Sequence, residues 1–151
     1  MTTTVYVPCD AAALAVGADD VAAALEQAAA QRGIALNIIR NGSHGMLWLE
    51  PLIEVQTDVG RVAYGPVQAD DIDSLLDAGC LTGGSHALGH GLTQAIPYLA
   101  RQERLTFARV GIIDPRSIAD YVAHGGFEGL KQALAMAPDD IVETVTQSGL
   151  R

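Results

Sequence analysis

The chain has 151 residues, enough for one domain and a short second unit. Apolar residues make up 49% and charged residues 18%, so it belongs with globular rather than disordered chains, and no stretch approaches the ~20 uninterrupted apolar residues of a membrane helix. Two cysteines, Cys9 and Cys80, are too few for a disulfide framework, and a formal charge of −9 argues against a nucleic-acid partner, whose phosphates call for clustered Lys and Arg.

The opening "MTTTVYVPCD" lacks the basic and apolar regions of a signal peptide, so a cytoplasmic location is expected. Within it, "TVYVPC" (4–9) is β-branched and aromatic and reads as a strand. "ADDVAAALEQAAAQRG" (18–33) is the strongest helix. Asp19 and Asp20 lie in its first turn, Arg32 in its last and Gly33 just beyond, all favourable for the helix dipole and stop. Val21, Leu25 and Ala28 share one face. "IALNII" (34–39) reads as a buried strand, and strand–helix–strand over some forty residues implies a parallel βαβ unit.

The loop "RNGSHGMLWLEP" (40–51) leads into a hairpin. Ile53, Val55 and Thr57 alternate with Glu54 and Gln56, Asp58-Val59-Gly60 is expected to make a three-residue turn, and 61–64 returns. "QADDIDSLLDAG" (68–79) is a helix with Ile72, Leu75 and Leu76 inward and Gly79 as its stop. The order β-α-β, hairpin, helix predicts an α/β thioredoxin-like fold over residues 1–80. A ferredoxin-like sandwich would place its second helix between the third and fourth strands, which here are joined directly.

Charge supports a boundary near residue 80. Residues 1–80 hold eleven acidic and three basic residues, whereas 81–151 hold seven and six. "TGGSHALGHG" (82–91) has four glycines in ten residues and reads as a linker, extended here to 81–113. His86 and His90 have helical ligand spacing, but the glycines around them break a helix, and a metal pair is not expected. Arg101, Arg104, Arg109 and Arg116 make a basic stretch able to face an acidic partner. Residues 114–151 read as short helices. One has Asp114 as N-cap, Pro115 at its first position, His124 near its end and Gly125 as stop; Leu130 with Leu134, and Ile141 with Val145, mark expected buried faces of the next two.

"DPRSIADYVAHGGFEGLKQALAMAPDDIVETVTQSGLR" resembles the entry to the flavin domain of the flavoprotein subunit of NADH dehydrogenases. Asp120, Tyr121, His124, Gly125, Gly126, Phe127, Pro138, Ile141, Ser148, Gly149, Leu150 and Arg151 carry the match. The resemblance implies a glycine-rich flavin loop next, so the chain is expected to be the leading piece of a longer polypeptide, with Arg151 close to flavin phosphate.

The first eighty residues resemble the thioredoxin-like [2Fe–2S] ferredoxin domain of the same enzymes. The cysteine pattern of that domain falls on Cys9, Leu14, Ser43 and Leu47, with Gly17, Gly45 and Pro51 kept around it. One thiolate cannot hold the cluster, so the resemblance implies a cluster loop whose ligands are lost, with Met46, Leu47 and Trp48 filling the space and His44 as a polar loop residue. Together with "QERLTFARVG" (102–111), the whole resembles the beta subunit of soluble NAD-dependent molybdenum formate dehydrogenases, related to respiratory complex I and NAD-reducing hydrogenases.

That resemblance implies FMN, NAD and [4Fe–4S] clusters in the full-length subunit, with no cofactor, metal or catalytic residue within 1–151. The implied partners are a molybdenum subunit and a small iron–sulfur subunit. Three other readings stand beside it: the equivalent subunit of an NAD-reducing hydrogenase or complex I, a stand-alone thioredoxin-like binding module, and a thiol oxidoreductase using Cys9. Asp10 beside that cysteine disfavours the thiolate.

Overall fold

The computed structural model describes residues 2–150, in two compact units divided at Pro115/Arg116. In the first unit, β1 (Thr3–Tyr6) is followed by α1 (Ala11–Ala15), α2 (Ala18–Gln31) and β2 (Leu36–Ile39). The hairpin β3 (Ile53–Thr57) and β4 (Gly60–Tyr64) leads to α3 (Ile72–Asp77), β5 (Gly89–Leu92) and α4 (Pro97–Ala100). The sheet order is β2-β1-β3-β4-β5, with β1 parallel to β2 and the other neighbours antiparallel. Its first four strands with α2 and α3 are the expected thioredoxin-like arrangement.

Local chemistry accounts for each start and stop. Asp10 caps α1, a helix not foreseen from the sequence, by accepting from the amides of Ala12 and Ala13. Gly17, at φ +99°, bends the chain directly into α2. The hairpin closes more tightly than expected: Thr57 pairs with Gly60, leaving only Asp58 and Val59 in the turn.

The two faces of the sheet are covered differently. Val5, Val7, Ile53, Val55 and Tyr64 meet Val21, Leu25 and Ala28 of α2 and Ile72 and Leu75 of α3 in the main core. On the other face, Met46, Leu49, Leu52 and Ala63 pack with Ile96 and Leu99.

The stretch expected as a linker, 81–113, is therefore not a tether. Its middle is strand β5, paired to β4 through Val62–Leu92, Ala63–Gly91 and Tyr64–Gly89, and Thr93, Ile96, Leu99 and Ile113 are buried. Four glycines concealed the strand by lowering its β-propensity. The boundary suggested by charge at residue 80 gives way to one at residue 115 in compactness.

The second unit holds α5 (Ile118–Ala123), α6 (Glu128–Leu134) and α7 (Pro138–Gln147). α5 begins later than expected, because Ser117, not Asp114, is the N-cap, accepting from the Asp120 amide. His124 is its C-cap, with Nδ1 2.9 Å from the Asp120 carbonyl oxygen. Pro138 opens α7. The faces expected to be buried are mostly open: Leu130, Leu134 and Val145 are more than half exposed, and Ile141 is only partly buried. Three short helices cannot bury two-sided apolar surface among themselves.

Candidate functional site

The second face of the sheet carries a polar centre. Because Val5, Ile53 and Val55 point to the main core, the residues between them point the other way. Glu54 stands opposite Tyr6 and Ala63, with Arg61 nearby on β4. Alternation alone assigns Glu54 to solvent. The segment 101–113 crosses that face, and Glu54 is instead only 1% exposed.

Glu54 Oε2 accepts from Asn41 Nδ2 at 3.2 Å and pairs with His44 Nε2 at 2.9 Å and Arg61 Nη1 at 3.6 Å. The Arg61 guanidinium lies 3.4 Å from the centre of the Tyr6 ring and donates to the carbonyl oxygens of Gly111 (3.0 Å) and Ile112 (2.8 Å). Asn41 Nδ2 donates to Gly111 O at 2.8 Å. From the segment itself, Arg104 Nη2 donates to His44 O at 2.8 Å. Asn41 Oδ1 and Glu54 Oε1 have no donor among the described residues. These bonds form a clasp: side chains from the β2–β3 loop and the hairpin hold the backbone carbonyls of Gly111 and Ile112, and Arg104 holds the loop in return.

Gly111 makes the clasp possible. Its φ is +77°, and a Cβ there would overlap the His44 ring. Gly111→Ala is expected to lower unfolding stability by roughly 2–4 kcal/mol, combining left-handed strain with displacement of the imidazole. Urea denaturation checks this; an unchanged midpoint would show that the segment does not press on His44.

The loop positions assigned by resemblance to cluster ligands lie beside the clasp. The Cys9 thiol donates to the Arg40 carbonyl oxygen at 3.4 Å. Ser43 Oγ donates to Glu50 Oε1 at 2.5 Å, and its amide donates to Asp10 Oδ2 at 2.9 Å. Leu14 is partly exposed, and Leu47 and Trp48 are each 60% exposed. Of the three residues expected to fill the loop, only Met46 is buried; Trp48 instead sets its ring edge-on to Tyr98 at 5.2 Å. One thiol, one hydroxyl bound to a carboxylate and two hydrocarbon side chains do not form a donor set for a [2Fe–2S] cluster, which is held by four thiolates or by two thiolates with two histidines.

Glu50 anchors the same loop, accepting from the Leu52 amide at 3.0 Å as well as from Ser43. Burial pushes its carboxyl above the ordinary 4.5, with those hydrogen bonds pulling part of the way back. A raised native value means that stability is fully present below 4.5 and is lost as pH rises through the native value. Glu50→Gln is expected to flatten the stability profile over that window, and a profile that keeps its slope would assign the slope to another group. Cys80 is buried under the sheet, with its thiol pushed up to about 11 by burial, and is unreactive at neutral pH.

The remaining candidates separate. His86 Nε2 meets Ser74 Oγ at 3.2 Å, while His90 Nε2 meets Gly65 O at 2.8 Å, so the two rings serve different partners. Arg104 donates to the His44 carbonyl oxygen, and Arg101 is exposed. Arg151 lies outside the described residues. His44 has 4% of its side chain exposed, and its ring packs against Gly111.

No protein-family model matches the chain. Over 51 residues, 34% of the chain, it is 47% identical to the NADP-reducing hydrogenase subunit HndC of Solidesulfovibrio fructosivorans, covering 10% of that protein. Over 31 residues, 20% of the chain, it is 61% identical to a subunit of the NADH-quinone oxidoreductase of Streptomyces coelicolor, covering 7% of that protein. The chain thus spans a tenth or less of the length of these curated relatives. Among solved structures, the thioredoxin-like [2Fe-2S] ferredoxin from Aquifex aeolicus aligns with 60% of this chain and 97% of its own, at 19% identity and a TM-score of 0.49. A second structure of that ferredoxin aligns with 58% and 89%, at 18% identity and 0.48. By its own topology the first unit is thioredoxin-like, and stretches of the chain are similar to subunits of NADP- and NADH-linked oxidoreductases.

Proposed function

We propose that this chain is the leading, non-catalytic docking part of the NADH- and FMN-binding subunit of an NAD-dependent formate dehydrogenase. In such an enzyme a molybdenum subunit oxidises formate, and iron–sulfur clusters pass the electrons to FMN and NAD⁺. Residues up to Pro115 are the docking domain, and α5 to α7 open the flavin domain. The observation that carries the reading is the loop at 9–14 and 43–47: its backbone is fixed by Asp10, Ser43 and Glu50, but its side chains supply one thiol. A scaffold kept rigid without its metal chemistry serves as a recognition shape. The similarity to the Streptomyces NADH-quinone oxidoreductase chain supports the assignment to an NADH-linked oxidoreductase subunit.

A second reading, the equivalent subunit of an NAD(P)-reducing hydrogenase, is favoured by the 47% identity to HndC over 51 residues. One deletion tests the docking role in both. The longer subunit lacking residues 1–113 is expected to keep NADH-dependent reduction of ferricyanide but to lose co-purification with its partner subunits. Undiminished assembly would refute docking.

A further inference from the structure

The clasp leaves a groove on its outer side. It is about 900 Å³ and runs between the loop 42–47 with Asp10 and the segment 102–107 with Val110 and Pro115. A groove of that size accommodates several side chains of a short peptide segment. Three apolar side chains along it are unusually bare: Leu105 is 84% exposed, Phe107 67% and Leu47 60%. Their backbones are nevertheless fixed. Arg104 ties one wall to the other through His44 O, the Asp10 carboxylate holds the Ser43 amide, and Ser43 Oγ holds the Gly45 amide at 2.9 Å. Exposed hydrocarbon on a preorganised backbone is a feature of binding surfaces, because little ordering remains to oppose association.

The charges lining the groove select its occupant. Arg104 directs its guanidinium at Gln102 Oε1, His44 O and Val110 O, all acceptors of this chain. Asp10 accepts from neutral amides and has no ion-pair partner among the described residues. Glu103 has no ion-pair partner among the described residues and lines the same groove. Around them, residues 1–115 hold thirteen acidic and six basic side chains, a negative field that would draw a cationic partner.

We infer that this groove docks a segment of another protein that presents aliphatic or aromatic anchors flanked by Lys or Arg. The anchors would cover Leu47, Leu105 and Phe107, and the cations would face Asp10 and Glu103. The inference rests on the docking role proposed above and names the surface and partner chemistry of that role.

The test uses the whole chain, isotopically labelled, and two synthetic amphipathic helical peptides of identical Leu and Phe content, one with Lys and one with Glu at every polar position. The Lys peptide is expected to shift the amide resonances of residues 43–47 and 103–107. It should bind about tenfold more tightly than the Glu peptide, with the difference shrinking as salt rises. Glu103→Lys should weaken binding of the Lys peptide several-fold. The pair Leu105→Ser and Phe107→Ser should abolish it while leaving the circular dichroism spectrum and thermal midpoint unchanged. Equal affinity for both peptides, or shifts centred elsewhere, would overturn the inference. Peptide binding in the groove combined with undiminished assembly of the 1–113 deletion would instead retain the groove and refute the docking role.

Discussion

A chain ending at residue 80 is expected to show no cooperative thermal transition, whereas one ending at Pro115 unfolds in a single step. Truncation at 80 removes β5 from the sheet edge, and with it the Gly84 carbonyl that accepts from the Tyr64 hydroxyl at 2.7 Å and the Leu88 carbonyl that accepts from the Gly65 amide at 2.9 Å. It also strips Ile96 and Leu99 from the second face, exposing Met46, Leu49, Leu52 and Ala63, and removes the buried Ile113. Burial of a large aliphatic side chain contributes about 1.5–3 kcal/mol, so three of them supply roughly 5–9 kcal/mol as an upper bound. That matches the roughly 5–15 kcal/mol by which whole domains are stable. Circular dichroism melts of the two truncations decide the matter. A cooperative transition in the shorter chain would restore residues 81–113 to the role of a tether.

Glu54→Leu is expected to cost about 3–5 kcal/mol, because it leaves the Arg61 guanidinium and His44 beneath the segment without their carboxylate. Glu54→Gln keeps an acceptor for Asn41 and His44 and is expected to lose only about 1–3 kcal/mol. The order of the two, read from urea midpoints, separates charge compensation from packing. Equal and small losses would mean that the clasp is held by the Gly111 and Ile112 carbonyl contacts alone. If Glu54 acts through the clasp, proteolytic cleavage between residues 101 and 113 should also rise in Glu54→Leu.

The thioredoxin-like core was legible because its signals are local. The acidic start and glycine stop of α2, the alternation at 53–57 and the Ile72/Leu75 spacing each require only neighbours in the chain. Three features depended on non-local packing and were not legible. Glu54 follows the same alternation as an exposed residue, and nothing in its own stretch indicates that residues 109–113 lie over it. Strand β5 reads Gly-His-Gly-Leu, with a glycine bulge where the sheet demands one, and glycine registers as a loop in any propensity argument. The periodicity of α6 and α7 predicts buried apolar faces, but periodicity reports amphipathicity and not whether a partner is present. Within the candidate site, the loss of thiols at 14, 43 and 47 could be read from resemblance, and the bareness of Leu47 and Trp48 could not. Their position depends on Met46 taking the interior place.

In the proposed role, the loops at 9–14 and 43–47 act as a rigid recognition shape, fixed by Asp10, Ser43 and Glu50, without binding a cluster. The most direct measurement is the iron and acid-labile sulfide content, with the visible spectrum, of the whole chain after anaerobic incubation with ferrous iron, sulfide and thiol. The account predicts a colourless protein with substoichiometric iron. A red-brown protein carrying two irons and two sulfides per chain, the composition of a [2Fe–2S] unit, would contradict it.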